Sequence, residues 1–121
     1  MKLFISLIIL FSCFSLAFAQ NEQSPLVEKE FKYKDWTYKT IRDGKSVNLR
    51  RFAAGKKLVL VVYFAPWCGN WKHEAPFVQK MYEKYKTAGL DIIGVGEYGT
   101  IEEMKASLDE KKITFQAVVE S

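Results

Sequence analysis

A chain of 121 residues has room for one domain at most. Its 18 basic and 14 acidic residues leave a net charge of +4. The positives are interspersed with negatives, as in Glu28-Lys29-Glu30 and Lys32 to Asp35, which describes a solvated surface and argues against a nucleic-acid site.

The N-terminus has the layout of an export signal. Lys2 precedes an apolar run from Leu3 to Phe18, and Ala17-Phe18-Ala19 offers small residues at −3 and −1 for cleavage before Gln20. The run is shorter than the about 20 residues a membrane span needs. Cleavage is therefore expected, with an uncleaved anchor as the alternative and no stable membrane insertion after processing. Lipidation at Cys13 fits poorly with Phe11 two positions before it. Without the 19-residue leader and its one lysine, 102 residues remain, with 17 basic and 14 acidic. Cys68 is then the only thiol. An exported protein occupies a compartment where disulfides persist, yet this one could form none within itself. A lone cysteine there points to a reactive or intermolecular thiol. The expected organisation is a signal peptide over 1–19, a flexible lead-in over 20–34 and one domain over 35–121.

From Phe31 the pattern becomes β-like. Trp36, Tyr38 and Ile41 alternate with polar residues, Asp43-Gly44 supplies a turn, and Val47 with Leu49 resumes beyond it: a hairpin. Arg50 to Ala54 reads as a helical turn ended by Gly55. Leu58 to Phe64 is an unbroken apolar run rich in β-branched residues, expected to be a strand buried on both faces. An Ala65-Pro66-Trp67 corner leads to Cys68 and a long amphipathic helix. Its apolar stripe is Trp71, Ala75, Val78, Tyr82 and Tyr85, widened by Phe77 and Met81, with Gln79 among the polar residues of the opposite face. Pro76 lies inside it and removes one backbone bond. Gly89 is the expected cap. Leu90 to Val95 predicts a second strand, parallel to the first. Thr100 to Glu103 forms a capping box for a short helix with Ile101, Met104 and Leu108 inward. Ile113 to Val119 is a further β-like run.

The stretch LVLVVYFAPWCGNWKHEAP, Leu58 to Pro76, resembles the first βα unit of the thioredoxin fold, most closely its exported TlpA/ResA-like branch, which is related to the AhpC/TSA redoxins. That branch carries W-C-x-x-C-(K/R)-x-E-x-P. Trp67, Cys68, Lys72, Glu74 and Pro76 match, while Trp71 stands in place of the second cysteine. Val62 occupies the position of the buried acid of cytoplasmic thioredoxins, again in keeping with the exported branch. The resemblance covers Trp36 to Glu120, about the first two-thirds of such a domain. It implies an α/β thioredoxin-like fold, with an N-terminal β-hairpin and a central, mainly parallel sheet flanked by helices, incomplete at its C-terminus.

The resemblance makes Cys68 the attacking thiol, and the first turn of a helix favours the thiolate such work needs. Glu74 is the acidic residue of the branch's active site, expected to relay protons. Trp67, Gly69 and Trp71 are the expected substrate contacts, Gly69 by allowing another chain to approach closely. A bland reading stands beside each: a buried inert cysteine, a packed Trp71, a surface Glu74. His73, five residues from Cys68, falls too far around the helix for a Cys–His pair. One mature cysteine and one histidine give no metal site, and no cofactor is implied.

In the two-cysteine mechanism the second thiol resolves the mixed disulfide, and Trp71 cannot. What remains is monothiol chemistry: disulfide exchange completed by an external resolving thiol, or oxidation of Cys68 to sulfenic acid. The expected partners are protein or small-molecule thiols and disulfides, met in the periplasm or outside the cell. A peroxiredoxin-like activity is the alternative, although Val61 and Ala65 replace the proline and threonine of its P-x-x-x-(T/S)-x-x-C signature. A non-catalytic binding module, or a truncated product, is the third possibility.

Overall fold

The computed structural model describes residues 34–120; the expected leader with Cys13, and all but Lys34 of the lead-in, lie outside the described residues. Strand β1 (Thr37–Thr40) and strand β2 (Ser46–Asn48) form the expected antiparallel hairpin, with Tyr38 opposite Val47. Its turn is tied by polar side chains. The Lys45 amide donates to Thr40 Oγ1 at 2.9 Å, and the Thr40 hydroxyl donates to the Asp43 carboxylate. Lys45 and then Thr40 hold the Asp43 carboxyl down to about 2. Asn48 caps helix α1 (Leu49–Ala53), accepting from the Arg51 amide at 3.0 Å.

Strand β3 (Leu58–Phe64), helix α2 (Gly69–Tyr85) and strand β4 (Leu90–Gly96) make a parallel βαβ unit, with Leu58 opposite Leu90 and Phe64 opposite Gly96. Helix α3 (Ile101–Glu110) begins with the capping box in full, Thr100 and Glu103 each bonding the other's backbone amide. Strand β5 (Gln116–Val119) then pairs parallel to β4 and antiparallel to β1. The sheet order is β2-β1-β5-β4-β3, so the last strand in sequence joins the hairpin to the parallel half.

Alternation along the strands divides the core between the two faces. Phe64, Ile92, Phe115 and Ala117 pack with Trp71 and Ala75 of α2 and with Met104 and Leu108 of α3. On the other face Ile93, Val95 and Val118 pack with Leu49, flanked by half-buried Trp36, Tyr38, Val59 and Val61. Helix α3 approaches the sheet closely over Gly96, where an added Cβ would lie 2.5 Å from Met104 Sδ.

Three expectations about facing are corrected. Ile41 does not continue the Trp36–Tyr38 stripe: three residues beyond Tyr38, its odd offset turns it to the helix-covered face, against the Phe64 and Trp71 cluster. Gln79 is buried, not on the polar face of α2. Its amide nitrogen donates to Thr114 Oγ1 at 2.7 Å and its oxygen accepts from the Thr114 amide at 2.9 Å. It therefore clamps the segment that enters β5, with its polarity satisfied. In α3, Ile101 is exposed and Ser107 is buried in its stead.

The fourth correction concerns β3. It pairs with β4 alone among the described residues, and Leu58 and Tyr63 are more than half exposed. An apolar groove of about 490 Å³ runs beside this edge, lined by Leu58, Leu60, Met81, Tyr85 and Leu90. No charge, proline or bulge protects the seven-residue edge. The chain starting at Gln20 is expected to self-associate with rising concentration in sedimentation velocity. Replacing Leu58→Lys and Met81→Lys together should raise the apparent dissociation constant about tenfold or more, since each removes exposed apolar contact area.

Candidate functional site at the β3–α2 corner

The corner after β3 is anchored by backbone. The Glu97 amide donates to the Phe64 carbonyl at 2.9 Å, and the Cys68 amide donates to the Ala65 carbonyl at 3.0 Å. Phe64 and Ala65 are buried, so the turn is rooted in the core. The Cys68 carbonyl accepts from the Lys72 amide at 3.1 Å, which starts α2. Cys68 is thus the N-cap residue of a 17-residue helix, with extended backbone (φ −69°, ψ 123°) and no side-chain capping bond. Its thiol is free and half-buried, at the end of the helix where the first amide groups have no intrahelical acceptor.

The neighbours divide into an outward and an inward set. Trp67 is 66% exposed, and its indole N–H donates to the Tyr98 carbonyl at 2.8 Å. Gly69 faces open space: a Cβ added there would meet nothing within 4 Å. Trp71 goes the other way. It is 3% exposed, stacked on Phe64 with ring centroids 4.6 Å apart, and donates its indole N–H to Ser107 Oγ at 3.0 Å. The expectation that Trp71 contacts substrate is therefore corrected: its ring is a core side chain, on the same face of α2 as Ala75 and Gln79. Glu74 and His73 are exposed on α2, and neither side chain hydrogen-bonds Cys68. The structure brings Trp67, Cys68 and Gly69 together and leaves Glu74 apart from them in hydrogen-bonding terms.

Sequence reading missed a carboxylate pair at this end of the sheet. Gly96 and Val119 are partners on β4 and β5, so Glu97 and Glu120, one step further on, emerge side by side. Hydrogen bonding to Glu120 raises the Glu97 carboxyl, while hydrogen bonds from Glu97 and Tyr38 lower that of Glu120. The Tyr38 hydroxyl donates to Glu120 at 2.6 Å and is pushed up to about 12 by it. Strand register is the signal that would have found this pair, and register is not written in either strand alone.

The family model described as the AhpC/TSA family matches residues 29–121, most of the chain. The chain belongs to the AhpC/TSA family. This AhpC/TSA chain is 36% identical over 59 residues to the thiol-disulfide oxidoreductase ResA of Oceanobacillus iheyensis, a match covering 49% of this chain and 31% of that protein. It is 41% identical over 49 residues to thioredoxin-2 of Saccharomyces cerevisiae, covering 40% of this chain and 47% of that one. Among solved structures, it superposes on the thioredoxin domain of a thiol-disulfide oxidoreductase from Bacteroides vulgatus with a TM-score of 0.69 at 27% identity, over 78% of this chain and 66% of the other. The matched stretch is thus about a third of the ResA length. The fold is thioredoxin-like, a five-stranded mixed sheet flanked by helices, as the resemblance implied.

Because Trp71 fills the core, placing a cysteine there has a structural cost. Trp71→Cys empties most of an aromatic site and orphans the Ser107 hydroxyl, and is expected to lower unfolding free energy by about 3–5 kcal/mol, as other buried Trp truncations do. Denaturant unfolding of the variant against the parent chain checks this.

Proposed function

We propose that the chain is an exported thiol-redox protein, of the TlpA/ResA-like kind, that works through Cys68 as a single attacking thiol. The observation that carries the reading is the half-exposed free Cys68 at the N-cap of α2, with Trp71, at the resolving position, built into the core. In the proposed step the Cys68 thiolate attacks one sulfur of a substrate disulfide. That S–S bond breaks, the other sulfur leaves as a thiolate that takes a proton from solvent, and Cys68 is left in a mixed disulfide. With no second cysteine among the described residues, an external thiolate attacks the substrate sulfur of that mixed disulfide. The Cys68–substrate S–S bond breaks, the external thiol is left in a disulfide with the substrate, and Cys68 leaves as a thiolate that solvent protonates. Trp67 and the open side at Gly69 flank the sulfur as the substrate-contacting surface. Among the described residues Glu74 has no partner that fixes it in a proton-relaying position, so its role rests on the motif alone. The peroxide-reducing alternative has the family match in its favour but lacks that activity's signature at Val61 and Ala65.

Export rests on the leader pattern, to which the absence of a membrane-length apolar helix among the described residues adds nothing contrary. Intact mass of the product from the periplasm or medium should correspond to a chain starting at Gln20; a mass retaining Met1 would remove this part of the reading.

The thiol chemistry is tested on the chain carrying Cys13→Ser, so that Cys68 is the only cysteine. Exposure to 2,2′-dithiodipyridine under native conditions should give one mixed disulfide per chain, reversed by excess glutathione, and none in the Cys68→Ser counterpart. A thiol that reacts only after denaturation would identify Cys68 as structural and sink the proposal.

A further inference from the structure

The loop between β4 and α3 is fastened to the thiol corner in three ways. The Glu97 amide bonds the Phe64 carbonyl, the Trp67 indole bonds the Tyr98 carbonyl, and Gly99 lies so close to Pro66 that an added Cβ would be 2.6 Å from Pro66 Cγ. Tyr98 takes a left-handed backbone conformation (φ 53°), which a non-glycine residue adopts only where its surroundings hold it. The result is a costly arrangement at the surface. Tyr98 is 77% exposed and Trp67 66% exposed, so both rings stay open to solvent among the described residues.

We propose that Tyr98, with Trp67, forms a preset aromatic surface beside Cys68 that selects polypeptide disulfides bearing an apolar side chain next to the reacting cysteine. This rests on the reading of Cys68 as an attacking thiol. Three observations favour a polypeptide over a small hydrophilic disulfide. Trp67 and Tyr98 stand on two loops that the indole-to-carbonyl bond joins, a span that a substrate with residues flanking its cysteine can use. Gly69 leaves open space on the other side of Cys68, so a chain can pass over the sulfur. Both rings are carried on anchored backbone, so little ordering cost is left for binding.

The test compares two short peptides of equal length and charge, each with one cysteine activated as its 2-thiopyridyl disulfide. One has leucine and phenylalanine beside the cysteine, the other glycine and serine. The Cys68 thiolate attacks the peptide sulfur and the peptide–pyridyl S–S bond breaks. Cys68 is oxidised to the mixed disulfide, and 2-thiopyridine departs reduced, protonated by solvent, and is read by absorbance. In the Cys13→Ser chain the apolar-flanked peptide should react about 3- to 10-fold faster, the range that one aromatic contact supplies. Tyr98→Ala should bring the ratio of the two rates close to one, while Tyr98→Phe should keep it. Phe77→Ala, which removes an equally exposed ring elsewhere on α2, should leave the ratio as it is. A ratio near one in the parent chain, or one that Tyr98→Ala does not change, overturns the proposal. Since Tyr98 is exposed, circular dichroism unfolding should show all three variants folded. Failure of the underlying reading looks different: Cys68 then reacts with neither peptide nor with 2,2′-dithiodipyridine.

Discussion

The indole of Trp71 ties three elements together. It stacks on Phe64 at the end of β3, projects from the first turn of α2, and hydrogen-bonds Ser107 of α3. Burying a large aromatic with its N–H satisfied makes this contact favourable; leaving either the indole or Ser107 unpaired would cost about 1–3 kcal/mol. Among the described residues no buried side-chain nitrogen or oxygen lacks a partner. Cys68 is set by that contact too, because the start of α2 cannot shift against β3 without breaking the stack. Trp71 thus holds Cys68 in place through the core.

Around this joint the Cys68 end of the sheet is built from backbone more than from side chains. Amide-to-carbonyl bonds fix the corner at Phe64 and Ala65, and the β4–α3 loop leans on it through Trp67 and Pro66. A sulfur mounted this way is oriented without needing a base or a metal to position it. That suits the proposed exchange chemistry, in which the substrate would supply the leaving group. The Glu97–Glu120 pair, with Tyr38, gathers protonatable groups at the same end of the sheet on the face away from α2.

At the opposite edge the physics is different. Strand β3 carries the corner, yet it is itself paired on one side only, beside an apolar groove made with α2. A strand whose sequence suits burial on both faces and which lacks every common edge-protecting device is built to be covered. The element that presents the thiol is therefore the one whose surroundings are least complete in the described residues.

Local pattern alone determined much of this protein. The hairpin at Asp43-Gly44, the parallel β3–α2–β4 unit, the capping box at Thr100 and the place of Cys68 at the head of a helix were all legible, because turn chemistry, periodicity and capping act over a few residues. What needed the tertiary structure was every question of which neighbour lies across a gap. The outward fate of Tyr98, the inward fate of Trp71, the burial of Gln79 against Thr114 and the pairing of Glu97 with Glu120 each join residues far apart in the chain. A helical period says that Trp71 and Gln79 lie on some face; only the packed sheet decides that this face is the core, because burial is a property of the assembled layers and not of any one of them.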